Sequence, residues 1–116
     1  MSNAIPAHVP PELVVDFDIF NPPGADTDYF AAWQTLQHAD GDGLVWTTAN
    51  GGHWIATRGA VVRALWADAA RLSSEVLAVT PGLGETMRLI PLQQDGAEHK
   101  SFRAAVMKGF GGRHIV

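Results

Sequence analysis

His99 and Arg103 are the two residues of this 116-residue chain whose types and spacing suit a shared chemistry. They lie one helical turn apart in Glu98-His99-Lys100-Ser101-Phe102-Arg103, so a helix there stacks them on one stripe. A guanidinium offers a planar fork of donors, and an imidazole adds one more. Such a pair fits an anion with two separated oxygens. On spacing alone two solvated side chains are the readier reading, since exposed charged faces are what most helices carry.

The element that must position them runs through Ile90–Phe110. Asp95 has the type of an N-cap, and Glu98 follows at the capping-box spacing. Phe102, Val106 and Phe110 recur every four residues and make an apolar stripe beside the pair.

Composition narrows the function classes. Eight basic against twelve acidic residues give a net charge of −4, which argues against a general nucleic-acid binder. There is no cysteine, hence no disulfide, no thiolate nucleophile and no thiolate metal ligand in this segment. No long apolar run and no basic leader pattern supports a membrane span or signal peptide, so a cytoplasmic protein is expected. Hydrophobic residues at 47%, with four tryptophans, are ample for a core.

Ahead of the helix the chain alternates breakers and periodic runs. Residues 1–25 read as an extended arm with Pro6, Pro10 and Pro11, anchored by Phe17, Ile19 and Phe20, with a short strand as the alternative. Residues 26–39 read as a helix capped by Asp26 or Thr27, with Tyr29, Phe30, Trp33 and Leu36 in period. Asp40-Gly41-Asp42-Gly43 stops it and lacks the further ligands of a calcium loop. Two β-prone runs, 44–48 and 53–57, flank Asn50-Gly51-Gly52 and predict a tight hairpin. Trp46, Trp54 and Ile55 are core or interface candidates, and His53 is structural. Residues 57–70 predict a second helix capped by Thr57, burying Val61, Val62, Leu65, Trp66 and Ala69. A short strand over 71–74 follows. Residues 75–94 form a long apolar loop, either a binding wall or a cover for the core.

The Glu-His-x-x-x-Arg pattern on a capped helix resembles helix C of the cytochrome P-450 family, the haem-thiolate monooxygenases. Val15-Asp16-Phe17-Asp18-Ile19-Phe20-Asn21-Pro22, Ala32–Gln37, the run from Leu44 to Gly59 and Ser73-Ser74-Glu75 resemble the camphor-hydroxylase branch. The resemblance covers nearly the whole chain. It implies a mainly α fold with a small β-hairpin sheet, the N-terminal part of the P-450 fold: arm, helix A, hairpin, helix B, B–C loop and helix C. Residues 26–116 would then be the first part of one haem-monooxygenase domain whose remainder lies outside this chain.

The resemblance further implies that His99 and Arg103 hold the propionates of haem b. The loop would roof the substrate pocket, with Ala78, Met87, Leu89 and Leu92 facing substrate. Lys100, Arg103 and Lys108 would lie where an iron–sulfur ferredoxin, reduced by its reductase, docks; a basic patch suits an acidic partner. Met87 stands where the camphor enzyme has a hydroxyl-donating tyrosine, and Ala78 where it has a phenylalanine. The implied substrate is therefore a small apolar terpenoid-like molecule, held without that hydrogen bond. The implied reaction is insertion of one oxygen atom from O2 into a C–H bond. The segment would have no catalytic residue and, lacking the iron-ligating cysteine, no activity alone. The competing expectation is a non-enzymatic, acidic anion-binding or interaction module built on the same helix.

Overall fold

A computed structural model describes residues 4–38, 41–79, 82 and 85–110 of the chain. The expected features at Ala39–Asp40, Thr80–Pro81, Leu83–Gly84 and Gly111–Val116 lie outside the described residues. The chain divides into two compact units, residues 1–67 and 68–116.

The first unit is built on a three-stranded sheet. Strand β1 (Val14–Val15) runs parallel to β2 (Leu44–Thr47), which runs antiparallel to β3 (His53–Ala56). The arm therefore contributes a strand, the alternative that its β-branched Val14 and Val15 allowed. Val45 pairs with Ile55, and both are buried. Strand alternation puts their neighbours Trp46 and Trp54 on the other face, where the rings meet edge to face at 5.3 Å. The tryptophans are thus a partly exposed cross-strand pair outside the core.

The core joins Val45 and Ile55 to Phe17 and Leu36, flanked by Val15, Ile19 and Trp33. Phe17 packs its ring against Trp33 at 5.0 Å. Leu36 and Trp33 belong to helix α1 (Tyr29–Gln37), whose buried positions are Ala32 and Leu36. Asp28 caps this helix by accepting from the Ala31 amide, displacing the expected Asp26 or Thr27. Tyr29, Phe30 and Phe20 are exposed, contrary to the expectation that Phe20 anchors the arm. The Asp18 carboxylate explains the turn there: it accepts from the amides of Phe20 and Asn21 and from Asn50.

The hairpin connection is longer than an Asn-Gly turn. Ala49–Gly51 forms a 3-10 turn, with Asn50 at φ 53 and Gly52 at φ 82. A Cβ on Gly52 would sit 3.0 Å from the Trp46 ring. Beneath it, Thr47 is wholly buried and donates its hydroxyl to the Phe17 carbonyl at 2.8 Å.

Helix α2 (Gly59–Ala67) is shorter than expected and has no buried residue. Val61, Val62 and Leu65 are only half-buried, Trp66 is 87% exposed, and Ala69 lies exposed beyond the helix end, so the expected buried face is only partly covered.

The second unit is a loop and one helix, α3 (Gly96–Gly109). Residues 71–74 form turns and bends in place of the expected strand. The described part of 75–94 contains no helix or strand, as its prolines and glycines predict. The apolar stripe of α3 is also open, with Phe102, Val106 and Phe110 all exposed. Among the described residues no helix is long and apolar enough to cross a membrane.

Candidate functional site

The candidate site is built on the start of α3 and on the loop that leads into it. Asp95 occupies the N-cap position, but its carboxylate makes no cap bond. It turns to the other end of the loop, accepting from the Ser73 hydroxyl at 2.5 Å and the Ser74 amide at 3.0 Å. The capping box expected from Asp95 and Glu98 therefore does not form. The adjoining Gly96 has φ 59, which a residue without Cβ adopts at no steric cost. The Ser73 hydroxyl, then the Ser74 amide, hold the Asp95 carboxyl below the usual aspartate range.

Gln93 makes a second closure. Its amide donates to the Glu75 carbonyl at 2.9 Å, and its side-chain oxygen accepts from the Leu89 amide at 2.7 Å. Arg88 in turn donates from Nε and Nη2 to the Gln93 carbonyl, at 3.1 and 2.8 Å. Among the described residues of this unit, Gln93 and Gln94 are the buried polar ones. The Gln94 side chain has, among the described residues, no hydrogen-bond partner on either its oxygen or its nitrogen.

The loop presents its apolar side chains on that frame. Met87 and Leu92 are 69% and 63% exposed, while Ala78 and Leu89 are half-buried. An apolar wall open to this degree is unusual unless something apolar sits on it.

His99 and Arg103 stand on consecutive turns of α3. His99 is half-buried and Arg103 exposed. Among the described residues neither side chain makes a hydrogen bond or an ion pair, so their donors are free for an external anion. Lys100 and Lys108 are exposed on the same helix. By type and spacing His99 and Arg103 suit an anion with two separated oxygens, the chemistry of a pair of haem propionates. Iron ligation is a different matter, because the chain has no cysteine.

Sequence reasoning missed Gln93, Gln94 and the latch made by Asp95. The one signal was the pair of glutamines interrupting the apolar loop just before the helix. A buried amide is expected to bond backbone, as Gln93 does and Gln94 does not among the described residues.

No family model matches the chain. It is 33% identical over 123 residues to the probable cytochrome P450 127A1 of Sinorhizobium fredii, covering 99% of this chain and 30% of that protein. The crystal structure of cytochrome P450 CYP101C1 superposes with a TM-score of 0.82 at 73% identity, over 95% of this chain and 28% of that one. The crystal structure of CYP101J2 superposes at 0.78 with 33% identity, over 96% and 28%. The chain thus spans less than a third of the length of these relatives. Over that stretch the chain is similar in sequence and fold to cytochromes P-450, among them CYP101 proteins of the camphor-type branch.

Proposed function

We propose that this chain is the N-terminal part of a haem-thiolate monooxygenase that hydroxylates a small apolar, terpenoid-like substrate. In this reading residues 1–25 are an arm, and residues 26–116 begin a single haem domain. The observation that carries it is the His99–Arg103 pair on α3, one turn apart and, among the described residues, without a hydrogen bond or ion pair. Each would donate to a haem propionate, where charge-assisted bonds are about twice as strong as neutral ones. Bound haem b supplies the oxygen chemistry. This chain's residues bind and orient.

Ala78, Met87, Leu89 and Leu92 would press on the substrate and exclude water from it. A thioether at Met87 gives the wall no hydrogen-bond donor, so recognition is by shape and apolar area. Lys100, Arg103 and Lys108 would meet an acidic ferredoxin, charge steering the encounter. The exposed stripe of Phe102, Val106 and Phe110 is consistent with a helix that packs against more protein than is present here.

The test is the reduced, CO-bound spectrum of the complete polypeptide that contains this stretch. A thiolate-ligated ferrous carbonyl band, with a spin-state change on adding an apolar terpenoid, supports the reading. A polypeptide that binds no haem sinks it.

A further inference from the structure

We propose that Asp95 and Gln93 are positioning residues that lock the loop onto the first turn of α3. The wall carrying Ala78, Met87, Leu89 and Leu92 and the turn carrying His99 and Arg103 then move as one body. What the wall and the turn touch rests on the function proposed above; the lock itself does not.

Three observations converge on it. First, the bonds come in two layers at the mouth of the loop: Ser73 and Ser74 to Asp95, and Glu75 to Gln93. They close a loop of about twenty residues, a closure that the chain's entropy opposes. Second, Asp95 forgoes the cap bond that its position offers. An N-cap is worth about 1 kcal/mol, so its carboxylate serves a competing purpose on Ser73 and Ser74. Third, Gln93 bonds both ways within the loop, to the Leu89 amide and the Glu75 carbonyl, and is itself buried. Leu89 is a wall residue, so Gln93 sets its backbone directly.

Gly96 is the joint that makes the lock geometrically open to Asp95. Its positive φ turns the chain between the carboxylate and the helix. His99 follows within the first turn, its amide donating to the Asp95 carbonyl at 3.3 Å. One residue therefore bonds the loop mouth by its side chain and the histidine by its backbone. Displacement of the wall is transmitted to the anion-binding turn through a single peptide.

Amide exchange of the haem-free 116-residue chain, read by NMR and corrected for intrinsic rates, tests this. In Asp95→Ala, which removes the bonds from Ser73 and Ser74, the Ser74 amide and, through the loosened loop, the Leu89 amide exchange about tenfold faster. The hairpin amides of Val45 and Ile55 keep their rates. Asp95→Asn retains an acceptor and restores most of the protection. Ser73→Ala, a milder change at an exposed residue, speeds Ser74 and Leu89 about threefold. Unchanged Leu89 exchange in Asp95→Ala and Ser73→Ala overturns the proposal, as does an Asn variant no better than Ala. Should Asp95→Ala lose the hairpin amides as well, the Ser73→Ala result decides. Because no haem is present, failure here leaves the monooxygenase reading intact, and failure of haem binding leaves the lock intact.

Discussion

The side-chain amide of Gln93 donates to the main-chain carbonyl of Glu75, joining residues eighteen positions apart. The same side chain accepts from Leu89, so one buried glutamine fixes both the mouth and the interior of the loop. Gln93→Leu removes both bonds and leaves the part-buried Leu89 amide and Glu75 carbonyl without this partner. The expected cost is about 1–3 kcal/mol, read as a lower urea midpoint. A midpoint equal to wild type would show that Gln93 holds nothing.

Gln94 makes the opposite prediction from almost the same burial. Its amide is enclosed and, among the described residues, has no hydrogen-bond partner. Gln94→Leu removes an unmet desolvation penalty, so the chain gains about 1 kcal/mol in the same unfolding measurement. A loss of stability would mean that the amide has a partner in solution.

Thr47 ties the arm to the sheet. Its hydroxyl donates to Phe17 and accepts from the Ala49 amide at 3.1 Å. Thr47→Val keeps the shape, strands both groups and costs about 1–3 kcal/mol in thermal or urea unfolding. Thr47→Ser keeps the hydroxyl and costs less. Equal losses in the two variants would assign the effect to packing instead.

Acid weakens the lock. Hydrogen bonds from Ser73 and Ser74 depress the Asp95 carboxyl in the folded chain. A depressed carboxyl contributes stability that is fully present above its unfolded value and fades as pH falls through the folded one. The Asp95 side-chain resonance is therefore expected to titrate below the ordinary aspartate range, with the Ser74 amide shift following it. In Asp95→Asn the Ser74 amide shift stays flat over the same interval. Asp18, held down first by Asn50 and then by the Phe20 amide, behaves alike in the first unit.

Much of this architecture was legible in the residues because local chemistry and packing agree there. The hairpin runs, the α1 period and the breakers of the apolar loop each specify one outcome. Errors arose where a residue had two possible partners. Asp95 reads as a cap because sequence spacing shows Glu98 and cannot show Ser73, twenty-two residues back. Val61, Val62, Leu65 and Trp66 read as buried because periodicity announces an apolar face without saying what covers it. His99 and Arg103 were visible as a pair through helical spacing alone. That neither makes a hydrogen bond or ion pair among the described residues could only come from the fold.

The central claim is that His99 and Arg103 grip the acidic edge of a haem. It is tested most directly by the rate of haem transfer from the complete polypeptide to an apo-globin acceptor. Loss of a charge-assisted bond worth about 1.5–3 kcal/mol predicts roughly ten- to hundredfold faster haem release in Arg103→Leu. His99→Leu should also release faster. Release at the wild-type rate in both variants would contradict the account.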